Sequence, residues 1–523
     1  MPRIQMALIS VSDKSGLREF AAGLVELDVK ILSSGGTAAH LREAGLPVTD
    51  VSEYTGFREM MDGRVKTLHP KVHGGLLALR DNAEHMAAAG KHGITMIDLV
   101  VVNLYPFEAT VAKPNVTLAE AVENIDIGGP SMLRSAAKNH RFVTVICDPE
   151  RYQGVLEEMR AAGGEVSEAT RSQLARETFA HTARYDSAIY NYLSRQSAGG
   201  EVLPDHFLQP YAKVAMLRYG ENPHQQAAFY RRALPAPVGL AAARQLHGKE
   251  LSFNNYLDLE AVLGFVREWD RPAAMIVKHN NPCGAAVADS LVQAYRDALA
   301  TDPLSAFGGI IGLNRVVDEQ TAEAILAGIK EYGFMECVLA PGYTPEALAK
   351  LQVKRDFRLL ELPDLSYRDP WAIKQVTGGL VVQTPDTAGD ATELRVVTKR
   401  APTEAELASL RFAWLVCKHT KSNSIVLARD TKAVGIGGGV TSRVDAARLA
   451  VQKAGDRAKG AVLASDAYFP FPDALRAGIT AGITAVIQPG GSRMRDAGDE
   501  VVIEACNRAD LAMVFTGVRH FRH

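Results

Sequence analysis

The chain has no run approaching ~18 uninterrupted apolar residues, so no stretch of it can cross a bilayer as a helix. Residues 4–11 read directly as a strand, with no secretory leader pattern, and a cytoplasmic protein is the expectation. Its five cysteines (Cys147, Cys283, Cys337, Cys417, Cys506) are scattered and odd in number, and no two stand at metal-ligand spacing. That excludes a disulfide framework and a zinc ribbon, and leaves reduced thiols. Charge of one sign is also missing: 58 Lys and Arg face 60 Asp and Glu. No global basic field recommends nucleic acid as a partner, although a local anion site remains open. The glycine-rich segment Gly435-Ile436-Gly437-Gly438-Gly439, read as a turn leading to Arg443, lacks the G-x-G-x-x-G spacing and its acidic residue, which removes NAD. A core is not lacking. At 523 residues, 47% of them hydrophobic, the length suggests roughly three domain-sized units.

What is present begins with strands that deliver small polar residues to helices. The strand over residues 4–11 leads through Ser12-Asp13-Lys14-Ser15-Gly16 to Leu17, Phe20, Leu24 and Leu27 at helical spacing, with Ser12 or Asp13 as N-cap. A second strand, residues 29–32, runs into Ser33-Ser34-Gly35-Gly36-Thr37 and another helix. Unpaired N–H groups and the helix dipole make such junctions suited to phosphate. Arg64-Val65-Lys66-Thr67-Leu68-His69 adds cationic and titratable groups in one short loop. A strand over 97–104 ends at Tyr105, and Asp126-Ile127-Gly128-Gly129-Pro130 opens a helix carrying Arg134 and Lys138 on one face. A strand over 142–147 closes this α/β unit; residues 150–196 follow a helical pattern, and Ser197-Ala198-Gly199-Gly200-Glu201 marks a boundary near residue 200.

The second half centres on Ala274-Met275-Ile276-Val277-Lys278-His279-Asn280-Asn281-Pro282-Cys283-Gly284, a buried strand that opens into a polar turn. A Lys beside a His offers a cation for developing negative charge and a base that titrates near neutrality. Val277-Lys278-His279 is echoed by Cys417-Lys418-His419, and Asp302 with Phe307 by Asp466 with Phe471, which suggests two similar α/β lobes.

Together these clusters resemble the bifunctional purine biosynthesis family that joins AICAR formyltransferase to IMP cyclohydrolase. Ser12-Asp13-Lys14, Ser34-Gly35-Gly36-Thr37, Arg64-Val65-Lys66-Thr67, Asn103-Leu104-Tyr105 and Asp126-Ile127-Gly128-Gly129 match its cyclohydrolase half. Arg218-Tyr219-Gly220, Lys278 to Gly284, Ser422-Asn423-Ser424, Ser465-Asp466-Ala467 and Arg519-His520-Phe521 match its transferase half. The resemblance implies an α/β chain: a cyclohydrolase domain over 1–200, with a methylglyoxal-synthase-like core to about residue 148 and a helical extension, and a transferase domain over 201–523 made of two cytidine-deaminase-like lobes. It implies 10-formyltetrahydrofolate as cosubstrate, AICAR and formyl-AICAR as substrates, a homodimer with transferase sites built across the subunit interface, and allows a structural monovalent cation such as K+ near Asp466. A zinc deaminase would need H-x-E and P-C-x-x-C. His279 has no Glu two residues on, and Pro282-Cys283 is followed by Gly284-Ala285-Ala286, so zinc is excluded on the residues themselves.

In the transferase the resemblance makes His279 the general base, Lys278 the cation facing oxyanion or leaving nitrogen, and Asn423 a donor to the same centre. Arg218, Arg519, Tyr219 and Asn255 would hold the nucleotide, and Gly308 and Arg443 belong to the same substrate set. Phe307, Phe469 and Phe471 would offer apolar surface to the pterin, with Glu336 as an acid near the folate. In the cyclohydrolase, Lys66 and Tyr105 would polarise the formyl oxygen, and Asp126 with Lys138 would orient and deprotonate the amide. Ser12, Lys14, Ser34, Gly36, Thr37 and Thr67 would cradle the phosphate, with Arg64, Asn103 and Gly128 completing the nucleotide site. Two readings of other classes compete: a purine nucleotide sensor without turnover, and a lyase acting on a small phosphorylated sugar, which leaves the second half unexplained.

Overall fold

The computed structural model describes residues 3–61, 64–196, 203–234, 236–389, 393–492 and 498–523. The chain divides into two compact units, Met1–Tyr211 with Arg232–Pro235 and Ala212–Arg231 with Ala236–His523. The boundary segment read at Ser197–Glu201 lies outside the described residues. No helix among the described residues is long and apolar enough to cross a membrane.

In the first unit the apolar runs form five parallel strands, β1 (Met6–Val11), β2 (Lys30–Ser33), β3 (Val48–Asp50), β4 (Leu99–Asn103) and β5 (Thr144–Ile146), in the order 3-2-1-4-5. Ala7-Leu8-Ile9 and Val100-Val101-Val102 are buried, as strands covered on both faces must be. The helix Leu17–Glu26 turns Leu17, Phe20 and Leu24 into that core. Its N-cap is neither Ser12 nor Asp13. Gly16 takes that position at φ 66, while Asp13 accepts the Ser15 N–H at 2.9 Å and closes the turn before it. Strand order reverses between β1 and β4, so the loops at their carboxyl ends part and leave a crevice.

The second unit carries two ribbons, β6–β7 (Tyr211–Leu217, Ala227–Arg232) and β14–β15 (Ala372–Val376, Gly379–Gln383), and one twelve-stranded sheet. The halves of that sheet repeat one order of elements. The first runs helix Phe253–Val266, β9 (Ala273–Lys278), β10 (Asn281–Val287), helix Leu291–Thr301, β11 (Ile310–Leu313), β12 (Cys337–Ala340), β13 (Arg358–Glu361). The second runs helix Glu404–Lys418, β17 (Ile425–Arg429), β18 (Lys432–Gly437), helix Arg443–Ala454, β19 (Val462–Ser465), β20 (Ala485–Gln488), β21 (Ala512–Phe515). In each, an antiparallel hairpin is extended by a third strand antiparallel to its first, and two more follow in parallel. The edges are β8 (Arg244–His247) and β16 (Arg395–Val396), and β10 meets β18 at the centre. Along β9, Ala273, Met275 and Val277 enter one apolar cluster while Ala274 and Ile276 enter another, so the sheet is packed on both faces.

The order of elements repeats, but the sequence echoes do not fall at equivalent positions of it. Lys418 and His419 end the helix Glu404–Lys418, whose counterpart is Phe253–Val266; Lys278 and His279 end a strand. Asp302 precedes β11, whereas Asp466 follows β19. The glycine segment is corrected too. Gly435 and Gly437 lie within β18, where a Cβ would come within 2.1 Å of the Ala450 carbonyl and 2.0 Å of the Ala446 carbonyl. They let the helix Arg443–Ala454 rest directly on the strand; they are packing residues, not a ligand turn.

Two candidate active sites

In the first unit the β1 loop is held by two struts. Asn103 accepts from the N–H groups of Ser12 (2.6 Å) and Asp13 (2.9 Å) and donates to the Asp13 carbonyl (2.9 Å). Thr37 bonds both the N–H and the carbonyl of Val11 at 3.0 Å. Ser34, N-cap of the helix Gly35–Glu43, makes no side-chain cap bond, so its hydroxyl and the first-turn N–H groups around Gly36 remain free for an anion. Lys66 brings its ammonium within 3.3 Å of where a Gly35 Cβ would stand, and pairs with Glu59 at 3.3 Å. Thr67 Oγ1 lies 2.9 Å from the corresponding point on Gly128, which ties the cationic loop to the start of the helix Gly128–Lys138. Asp126 receives the Gly129 N–H at 2.8 Å. Burial pushes its carboxyl above the ordinary value, against the pull of N–H groups from Gly129, Tyr105 and Gly128. Tyr105 stands half-exposed beside it.

Ser12, Lys14, Ser34, Gly36, Thr37, Lys66, Thr67, Asn103, Tyr105, Asp126 and Gly128 thus gather at the carboxyl ends of β1, β2 and β4. Arg64 sits on the same loop as Lys66 and is ion-paired with Glu123. Within one chain Lys138 does not join them. It ends the helix that Gly128 begins, about 15 Å along the axis at 1.5 Å per residue. The sequence placed Asp126 and Lys138 in one act; a helix that starts at the site carries Lys138 away from it.

In the second unit a cleft of about 270 Å³ collects Arg218, Tyr219, Asn255, Lys278, His279, Gly308 and Glu336. β9 ends at Lys278, paired across the hairpin with Asn281, and His279 and Asn280 form the two-residue turn at φ 55 and 61. Neither is glycine, so something must hold them there. Asp258 does: its carboxylate accepts the Asn280 N–H at 2.6 Å and the His279 N–H as well. Burial raises the Asp258 pKa, and those N–H groups together with the His279 charge oppose the rise. Asn255 forms a capping box with Ser252 at the start of the same helix. Glu336 is paired with the buried Arg358 at 2.5 Å. The Lys278 ammonium lies 5.8 Å over the half-exposed Phe307 ring.

Asp258, Ser252 and Arg358 line this cleft and were missed by sequence reasoning. Asp258 left one signal, an acid three residues past Asn255 inside the apolar face of a helix. Asn423 and Arg443 form a different centre. Arg443 donates to Asn423 Oδ1 (2.9 Å), to Ser465 Oγ (2.7 Å) and to the fully buried Asp466, which Ser422 also reaches. Asn281 accepts the Lys421 N–H at 3.1 Å and so sets this turn against the root of the hairpin. Each Asp466 oxygen thus accepts one hydrogen bond, from Arg443 on one side and Ser422 on the other. Phe469 is corrected outright: it is fully buried in the core beneath β17 and β19 and has no surface for a pterin, whereas Phe471 is half-exposed. Arg519 is exposed and stacks on Phe521 at 4.5 Å, outside the residues lining the cleft.

A parallel sheet that offers an anion a helix N-terminus beside Lys66, and a mixed sheet that presents a Lys-His pair in a polar cleft, define an α/β enzyme with two chemical centres. The chain belongs to the AICARFT/IMPCHase bienzyme family, which matches residues 136–453, and an MGS-like domain matches residues 16–131. It is similar to the bifunctional purine biosynthesis protein PurH of Magnetococcus marinus, 54% identical over 541 aligned positions that cover 100% of both chains. The protein of the same name from Thermoanaerobacter sp. is 52% identical over 518 positions, 99% of each. Among solved structures, the crystal structure of ForH is 35% identical, covering 36% of this chain and 99% of its own, with a TM-score of 0.34.

Proposed function

We propose that the two clusters are the two active sites of this bienzyme. As a member of its family the chain acts in purine biosynthesis, transferring a formyl group to AICAR, with 10-formyltetrahydrofolate as cosubstrate, and cyclising formyl-AICAR to IMP. The observation that carries the assignment of residues is the Lys278-His279 turn, locked by Asp258 at the edge of a polar cleft.

The AICAR amine is conjugated with its imidazole and needs its proton removed as it attacks the formyl carbon. His279 takes that proton, and Lys278 stabilises the oxyanion that forms on the formyl oxygen. As the oxyanion collapses, the bond from the formyl carbon to the folate nitrogen breaks, and that nitrogen leaves as the amine of tetrahydrofolate, carrying the proton that His279 returns. Arg218, Tyr219 and Asn255 hold the nucleotide, and Phe307 offers a face to the pterin. No step is assigned to a metal. In the cyclohydrolase the phosphate rests on the N-terminus of the helix Gly35–Glu43 with Ser12, Lys14 and Thr67. Lys66 and Tyr105 polarise and protonate the departing formyl oxygen, while Asp126, its pKa raised by burial, accepts the amide proton. We assign the cyclohydrolase domain to residues 1–200 and the transferase domain to 201–523. The hairpin-led strand order of each half of the large sheet supports two cytidine-deaminase-like lobes. Asn423, Phe471 and Arg519 lie outside their own chain's cleft, which supports a homodimer whose transferase sites take residues from both copies.

The test is product formation from AICAR and 10-formyltetrahydrofolate by wild type, His279→Ala and Lys66→Ala. Wild type should yield IMP. His279→Ala should give nothing from AICAR yet still cyclise supplied formyl-AICAR, and Lys66→Ala should accumulate formyl-AICAR. Wild-type binding of AICAR without either product would leave a purine nucleotide sensor.

A further inference from the structure

The last five residues form neither helix nor strand, yet they are tied down at alternate positions. Arg519, Phe521 and His523 are exposed, whereas His520 is 1% exposed and Arg522 is half-buried, the period-two pattern of extended chain. The main chain is held on one side by the Asn423 centre. His520 donates its N–H to the Asp466 carbonyl at 3.0 Å, and the Arg522 carbonyl accepts the Ser422 N–H at 2.9 Å. On the other side the β14–β15 ribbon and its exit supply two side-chain bonds. Lys374 of β14 donates to the His523 carbonyl, and Asp386, three residues beyond β15, accepts from His520 Nδ1 at 2.5 Å. Trp414 lies against the imidazole, with ring centroids 4.7 Å apart. His520 Nε2 has no partner among the described residues, so the polar anchorage of this side chain falls on Asp386. A leucine could fill the space beside Trp414 without needing a hydrogen bond. What an imidazole bonded to a fixed carboxylate adds is register, because a slip of one residue would turn Arg519 inward.

We propose that His520, held by Asp386, is a positioning residue for formyl transfer: the pair fixes the register of the tail so that Arg519 projects outward to the nucleotide. This rests on the reading of Arg519 as a nucleotide anchor. His520 touches no substrate; it acts through Arg519, whose guanidinium stacks on the outward ring of Phe521 two residues on.

The experiment is steady-state kinetics of full-length Asp386→Ala, Asp386→Asn, Arg519→Ala and the Asp386→Ala/Arg519→Ala double variant, with AICAR and 10-formyltetrahydrofolate varied separately. Asp386→Ala should raise KM for AICAR about tenfold, with kcat and KM for the folate little changed. Asp386→Asn keeps an acceptor for the His520 N–H and should recover most of that loss. Cyclisation of supplied formyl-AICAR should be unchanged in both Asp386 variants, and hydrogen exchange over the C-terminal peptide should quicken in Asp386→Ala. The double variant should be no worse than Arg519→Ala alone, because Asp386 acts through that residue. A KM for AICAR that stays at the wild-type value in Asp386→Ala while rising in Arg519→Ala overturns the positioning role and leaves the reading of Arg519 standing. An unchanged KM in Arg519→Ala removes that reading and the proposal with it. A loss in Asp386→Ala that falls equally on both substrates, or adds in full to that of Arg519→Ala, also overturns the proposal, since a generally loosened fold would do the same.

Discussion

His279 and Asn280 hold left-handed conformations at the head of the β9–β10 hairpin, each costing a non-glycine residue of order 1 kcal/mol or more. The carboxylate of Asp258 offsets that cost by accepting the N–H groups of both, and so fixes where the imidazole sits. Asp258→Ala should lower kcat for formyl transfer about 10–100-fold, the range set by an unsatisfied buried donor and a base displaced by an ångström. Cyclisation of supplied formyl-AICAR should not change. Asp258→Asn keeps an acceptor and should recover most of the loss without moving the pH profile. Steady-state kinetics with both variants decide the matter; an Asn variant as slow as the Ala variant would mean that the charge, not the turn, is required. Lys278 and His279 were legible because a polar pair breaking an apolar run is visible in one dimension. Asp258 was not, because its partners lie 21 and 22 residues downstream and its only sequence trace is a polar residue on a buried helix.

At the scale of elements, the same apolar runs were legible as elements but ambiguous in kind. Phe412 to Cys417 is buried all round, so it shows neither the alternation of a half-exposed strand nor the stripe of a surface helix. Only the fold shows that Lys418 and His419 end a helix. There they serve packing. Lys418 reaches Glu268, just past the helix Phe253–Val266, at 3.0 Å, and His419 reaches it at 3.6 Å. Burial would raise Glu268, but hydrogen bonds and charge from His419 and Lys418 hold it at about 2. Burial likewise keeps His419 neutral, down to about 4. Below pH 6.5 the unfolded chain takes a proton that native His419 refuses, so stability falls as pH drops from 6.5 to 4. Below 4.5 the unfolded Glu268 takes a proton that the native carboxylate refuses, so stability falls further toward pH 2. Thermal melts across pH 2–8 should show this continuous acid limb. Glu268→Gln should cost about 3–5 kcal/mol at pH 7, because Lys418 is left buried without its partner, and should flatten the limb below pH 4.5. An unaltered limb in that variant would place the acid sensitivity elsewhere.

At the scale of the molecule, each unit has its own core, and the motifs along the chain assign to each the centre proposed for it. What one dimension hides is which residues of a unit share a centre: Asp126 and Lys138 lie twelve residues apart in sequence and at opposite ends of one helix in space. The pairing of the two reactions has a thermodynamic reason. Formyl transfer exchanges one N-formyl bond for another and runs close to balance. Ring closure expels water and completes an aromatic ring, which draws the first reaction forward. If the sites act independently on a released intermediate, an enzyme dead in one half should complement an enzyme dead in the other. Mixing His279→Ala with Lys66→Ala should therefore restore IMP formation from AICAR, after a lag that shortens as the His279→Ala protein is increased. Lys66→Ala alone should stop at an equilibrium that excess tetrahydrofolate reverses, returning formyl-AICAR to AICAR. Time courses of intermediate and product read both effects. A mixture that forms no IMP, while each variant keeps its own half-reaction, would mean the intermediate never reaches solution, and a variant that loses both half-reactions would mean the two substitutions had not disabled separate centres.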